Sequence, residues 1–138
     1  MRTMQKSTLI LLLILLPALG IASEQKKNAA AQEAGKWLAL VDGLQYQDSW
    51  DRAASLFKLQ VTARQWLQAM SAARNPLGNM VSRRLVAANY TTNLPGAPDG
   101  EYVVLQFKTE FKNKKNAIET VTPMFDRGQW RVSGYYVR

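Results

Sequence analysis

The spacing of apolar and polar residues changes twice along the chain. Leu9 to Leu16 is an unbroken run of Leu and Ile. From residue 30 the pattern becomes helical: Ala30, Ala34, Trp37, Val41 and Leu44 recur at intervals of three and four and line one face. Gly43 marks the expected stop, and residues 24–28 before the stripe are polar enough to fray. A second, shorter helix is expected after a cap at Asp48 or Ser49, with Asp51 in its first turn and Trp50, Ala53, Ala54 and Phe57 inward. The third is the best marked. Thr62 and Gln65 have the spacing of a capping box, and Val61 and Trp66 stand where a hydrophobic staple forms. Ala69, Met70 and Ala73 continue its apolar face, and Asn75-Pro76 ends it, because the residue before proline avoids the helical region.

Beyond Gly78 the period shortens to two. Residues 80–92 read as a first strand and Leu94 to Gly100 as a loop. Tyr102 to Phe111 is the clearest strand: Val103, Leu105, Phe107, Thr109 and Phe111 share one face, and Gln106, Lys108 and Glu110 the other. Residues 112–116 make a polar connection, 117–125 a third strand, Asp126 to Gln129 a turn and Trp130 to Val137 a last strand. Consecutive strands with short links predict an antiparallel meander. Helices first and strands afterwards predict an α+β fold, with three N-terminal helices packed on one face of a curved four-stranded sheet.

The apolar run at the start has a separate meaning. Arg2 and Lys6 precede it, Pro17 and Gly20 break it, and Gly20 and Ala22 form a small-x-small pair. This is the layout of a cleavable signal peptide over residues 1–22, leaving one domain over 23–138. The stretch from Leu9 to Ala22 is shorter than the ~20 residues of a membrane span. The expected location is therefore periplasmic or secreted. No cysteine is present to carry a lipid, so no stable membrane anchor is expected after cleavage.

Within that domain, four consecutive features are similar to a bacterial family of unknown function. They are Trp37 to Gly43 with Tyr46 and Ser49-Trp50; Pro76-Leu77-Gly78 with Val81-Ser82-Arg83; Tyr90 to Tyr102 with Glu119 to Met124; and Gln129 to Tyr136. The chain resembles the family called domain of unknown function 4019 over nearly all of residues 23–138. The resemblance implies a cystatin/nuclear-transport-factor-2-like fold, a cone of helices and curved sheet. The chain departs from that larger class in having no strands between its helices. The family has no assigned activity, so the resemblance implies no functional residues, and fold does not settle function.

Composition narrows the chemistry. There is no His and no Cys, which removes the usual nucleophilic triads and zinc ligands, and no metal or cofactor is expected. Eighteen Lys and Arg face ten Asp and Glu; losing Arg2 and Lys6 with the leader lowers the net charge from +8 to +6. The basic residues are spread out, no nucleic-acid motif is present, and export separates the protein from nucleic acid, so no nucleic-acid partner is expected. Two constellations remain. Glu110 and Glu119, on consecutive strands, could form an acid–base pair of a small isomerase or hydrolase, although both are expected on the solvated face near Lys108 and Lys112. Arg83, Arg84, Arg131 and Tyr135, on the first and last strands, would form an anion site if those strands converged. The four tryptophans are expected in the core, and Lys112, Lys114 and Lys115 at a solvated hairpin tip. The expected function is a non-enzymatic envelope protein that binds a small ligand or an envelope protein through the concave sheet face. A carboxylate enzyme and a purely structural component are the alternatives.

Overall fold

The computed structural model describes residues 18–138. The Leu9 to Leu16 run lies outside them. Helix α1 spans Ala18–Asp42, α2 Tyr46–Arg52, α3 Ser55–Gln60 and α4 Ala63–Arg74, followed by a 3₁₀ turn at Asn75–Leu77. Strands β1 Met80–Thr91, β2 Tyr102–Phe111, β3 Lys114–Asp126 and β4 Gln129–Val137 form one antiparallel sheet in the order β1-β2-β3-β4, the meander expected from the sequence. No described helix is long and apolar enough to cross a membrane.

The core lies between the helices and one face of the sheet. Ala30, Ala34, Trp37, Leu38 and Val41 of α1 meet Val103, Leu105 and Phe107 of β2, Val121 of β3 and Val132 of β4. Trp66 stacks edge-on to Phe57, 5.0 Å between ring centroids, and Trp37 lies 5.3 Å from the Tyr135 ring. The polar ends of the core indoles are matched inside: Trp37 Nε1 donates to the Ser49 carbonyl, Trp66 Nε1 to Ser49 Oγ, and Trp50 Nε1 to the Val61 carbonyl.

Five differences from the sequence reading stand out. Residues 24–28 are helical, not frayed, because Lys26 is tied to Glu101 of the opposite layer at 2.6 Å. Leu44 leaves the inward stripe: it takes the left-handed turn after α1 (φ 60°) and is exposed, so the turn falls one residue past Gly43. The second helix is two helices. Ala53 and Ala54 are extended between them, and the Ala54 N–H leaves the helical ladder for the Val132 carbonyl of β4 at 2.8 Å. Neither Asp48 nor Ser49 caps α2; Ser49 is buried within it and returns its hydroxyl to the Tyr46 carbonyl. On α4 the capping box forms as expected, but the buried stripe is Trp66, Met70 and Arg74, with Ala69 and Ala73 exposed.

Register shifts interrupt every strand pair, twice between β1 and β2. Such bulges bend and twist a strand. The one between Val121 and Pro123 also places a proline, which has no N–H to donate, within an interior strand. At the β3–β4 turn Arg127 (φ 53°) and Gly128 (φ 80°) are both left-handed, the requirement of a tight two-residue hairpin.

Candidate functional site

Alternation along β3 puts Ala117, Glu119 and Val121 on the helix-covered face. Glu119 is therefore completely buried, contrary to its expected place on the solvated face. Glu110 points to the other side of the sheet, so the two carboxylates do not form a pair. The Glu119 carboxylate is instead held from three strands. Arg83 of β1 reaches across β2 to place Nε 2.7 Å from Oε1 and Nη2 3.2 Å from Oε2. Thr109 of β2 donates to Oε1, and Tyr135 of β4 donates to Oε2, both at 2.5 Å. An ionised carboxylate has about four lone-pair directions, and here all are used.

The cluster continues into the helices. The rest of the Arg83 fork binds Asp42, the last residue of α1, at 2.7 and 2.9 Å. Arg74, at the end of α4, donates to Asp42 at 3.1 Å, lies 4.0 Å from Glu119, and stacks over Phe111 with its guanidinium carbon 4.5 Å from the ring centroid. Nε and Nη1 of Arg74 are buried without a protein partner. Two guanidiniums thus balance two carboxylates in a largely buried cluster. Burial alone would weaken the Arg83 proton, but its hydrogen bonds to Asp42 and Glu119 more than reverse this and raise its pKa. Burial raises the Tyr135 pKa well above its ordinary value, and the Glu119 charge and hydrogen bond add to the effect. Tyr135 is thereby fixed as a neutral donor. The cluster ties α1 and α4 to all four strands.

Of the four residues expected to form an anion site, Arg83 and Tyr135 meet on the same carboxylate from opposite edges of the sheet. Strands β1 and β4 do not themselves approach. Arg84 faces the opposite side, exposed, and Arg131 lies at the far end, 4.0 Å from Asp126. Reading the sequence missed Asp42, Arg74, Thr109 and the burial of Glu119. The signals were there: Arg74 continues Trp66 and Met70 at intervals of four, and Glu119 alternates with Ala117 and Val121.

The open feature is on the helix-free face. A cavity of about 420 Å³ is lined by Ser82, Arg84, Lys108, Glu110, Lys115 and Ile118, with the residues between them completing its wall. Pairing explains the arrangement. Ser82 lies opposite Glu110, and Arg84 opposite Lys108, which in turn faces Ile118. Arg84, Lys108 and Lys115 form no ion pair with another described residue.

At the other end of the sheet, Glu101 accepts from Lys26 and, at 2.9 Å, from Tyr90; these bonds, Lys26 first, lower its pKa. Asp126 accepts from the backbone N–H and hydroxyl of Ser55, both at 2.9 Å, and the backbone bond is the main reason its pKa falls below the ordinary value.

Comparison with curated proteins found no match. A family model described as "Protein of unknown function (DUF4019)" matches residues 33–135. That interval holds Asp42, Arg74, Arg83, Thr109, Glu119 and Tyr135 as well as the open groove, and the chain belongs to this family.

Proposed function

We propose that the protein is an exported, non-enzymatic binding module that takes its ligand in the groove on the helix-free face of the sheet. The observation that carries this reading is the contrast between its two polar centres. The buried one has its Glu119 carboxylate fully occupied by the protein's own donors. The groove has three cations without ion-pair partners among the described residues, around a volume suited to a small ligand. This differs from the concave-face site expected from the sequence, because the helix-covered face is filled by Trp37, Leu105, Val121 and Val132.

Export is supported by the leader pattern and by where α1 meets the sheet. The expected cut after Ala22 falls within α1, and the first described side chain of the helix bonded to the sheet layer is Lys26. Cleavage would therefore leave the docked part of the helix intact. The packing of helices over one face of the sheet supports kinship with nuclear-transport-factor-2-like folds.

Native mass spectrometry of protein recovered from the periplasm of an expressing bacterium tests both parts. The expected result is an N-terminus at Ser23 and a retained ligand or partner that is lost in the Arg84→Glu/Lys108→Glu variant. Exported protein beginning at Met1 would refute cleavage, and equal retention by the variant would refute the groove.

A further inference from the structure

We propose that the groove recognises a phosphoryl group carrying a neighbouring hydroxyl or amine. This rests on the reading of the groove as the binding site and names its ligand class. Arg84 and Lys108 are direct cross-strand partners on one face, with strands ~4.8 Å apart. Like charges placed directly opposite destabilise a sheet. Neither has an acidic ion-pair partner among the described residues, and Lys115 adds a third positive charge from the start of β3. Three cations against the one carboxylate of Glu110 leave the groove with an excess of two positive charges. An anion between Arg84 and Lys108 relieves that repulsion. The planar Arg84 fork suits two oxygens of a phosphoryl group, while the lysines serve as point charges.

Glu110 gives the site direction. It stands one cross-strand pair along from Arg84 and Lys108, opposite Ser82. It repels an anion at that end and accepts a hydrogen bond there, and Ser82 can donate or accept. The ligand therefore lies with its phosphoryl group toward Arg84 and its hydroxyl or amine toward Glu110. Soluble phosphate esters and the headgroups of phospholipids both have this chemistry.

The test is titration of the full chain, followed by amide NMR, with glycerol phosphate, with inorganic phosphate, and with vesicles of phosphatidylglycerol or phosphatidylcholine. Glycerol phosphate should shift the amides of Ser82, Arg84, Lys108 and Lys115, and Arg84→Gln should weaken binding by about tenfold, as loss of a charged hydrogen-bonded contact does. Glu110→Gln should erase the preference for glycerol phosphate over inorganic phosphate. Binding to phosphatidylglycerol vesicles but not to soluble glycerol phosphate, with the same loss in Arg84→Gln, would assign the headgroup as the source. Arg84 and Glu110 sit on the solvent side, and a melting temperature no lower than the parent's confirms that each variant is folded. Binding by Arg84→Gln equal to that of the parent, or no binding of any phosphoryl probe, overturns the proposal. If the ligand retained from the periplasm is lost in Arg84→Glu/Lys108→Glu but lacks phosphorus, the phosphoryl class falls and the binding module stands; if nothing is retained and no probe binds, both fall.

Discussion

Replacing Glu119 with glutamine should destabilise the fold by about 3–5 kcal/mol, the usual cost of breaking a buried ion pair from one side. Glutamine has nearly the same shape, so the loss is electrostatic and not a cavity effect. The carboxylate receives Arg83 Nε and Thr109 on one oxygen and Tyr135 and Arg83 Nη2 on the other. An amide keeps one accepting oxygen and turns two N–H groups toward donors. Whichever way it is placed, a buried donor faces a donor, and the Arg83 charge keeps only Asp42. Against a domain stability of roughly 5–15 kcal/mol, this is a large fraction. Urea unfolding followed by tryptophan fluorescence suits the measurement, since Trp37 and Trp66 are buried in the core. With a slope of about 2 kcal/mol per molar urea, the midpoint should fall by about 1.5–2.5 M at unchanged slope. A double-mutant cycle with Arg83→Met should give a coupling of about 1–3 kcal/mol, and the double variant should be more stable than the sum of the singles predicts. A midpoint shift below about 0.3 M for Glu119→Gln would refute the view that this cluster holds the layers together.

Three further outcomes are expected. Asp126→Asn should be less stable than the parent near neutrality by about 1 kcal/mol; because the Asp126 pKa is lowered in the folded state from an ordinary 3.8, its stabilisation is present above that value and lost as pH falls through the folded pKa, so urea midpoints of the two proteins should converge in acid. In alkaline absorbance titration, Tyr135 should resist ionisation; the raised Tyr135 pKa contributes stability present below pH 10 and lost as pH rises above it, and Tyr135→Phe should remove the resistant transition. Thr62→Ala removes one half of the capping box on α4 and should cost about 1 kcal/mol in thermal denaturation.

The parts of the fold visible in the sequence are those governed by short-range rules. Thr62 and Gln65 sit three apart and cap α4; Val103 to Phe111 alternate and form β2 with the expected inner face. The break at Ala53-Ala54 was not visible, because both alanines favour a helix and only the distant Val132 carbonyl draws the Ala54 N–H away. Glu119 shows the same limit more sharply. Its parity with Ala117 and Val121 marked it as inward, but its charge argued for solvent. What reverses that argument is Arg83, a residue 36 positions earlier and two strands away, which no local spacing reveals. The groove was similarly hidden: Arg84 and Lys108 are unremarkable apart, and only the β1–β2 register sets them opposite each other.

The Ala54–Val132 hydrogen bond has a consequence for the behaviour of the protein at high concentration. A meander ends in two strands whose outer backbone groups can recruit another chain. On β4, the Val132 carbonyl is already taken by the chain's own helical layer, so an incoming strand would have to displace it. On β1, the two bulges break the straight run of donors and acceptors that such a strand would need. Both borders of the sheet are thus guarded against edge-to-edge polymerisation, by a backbone plug on one side and an irregular rim on the other.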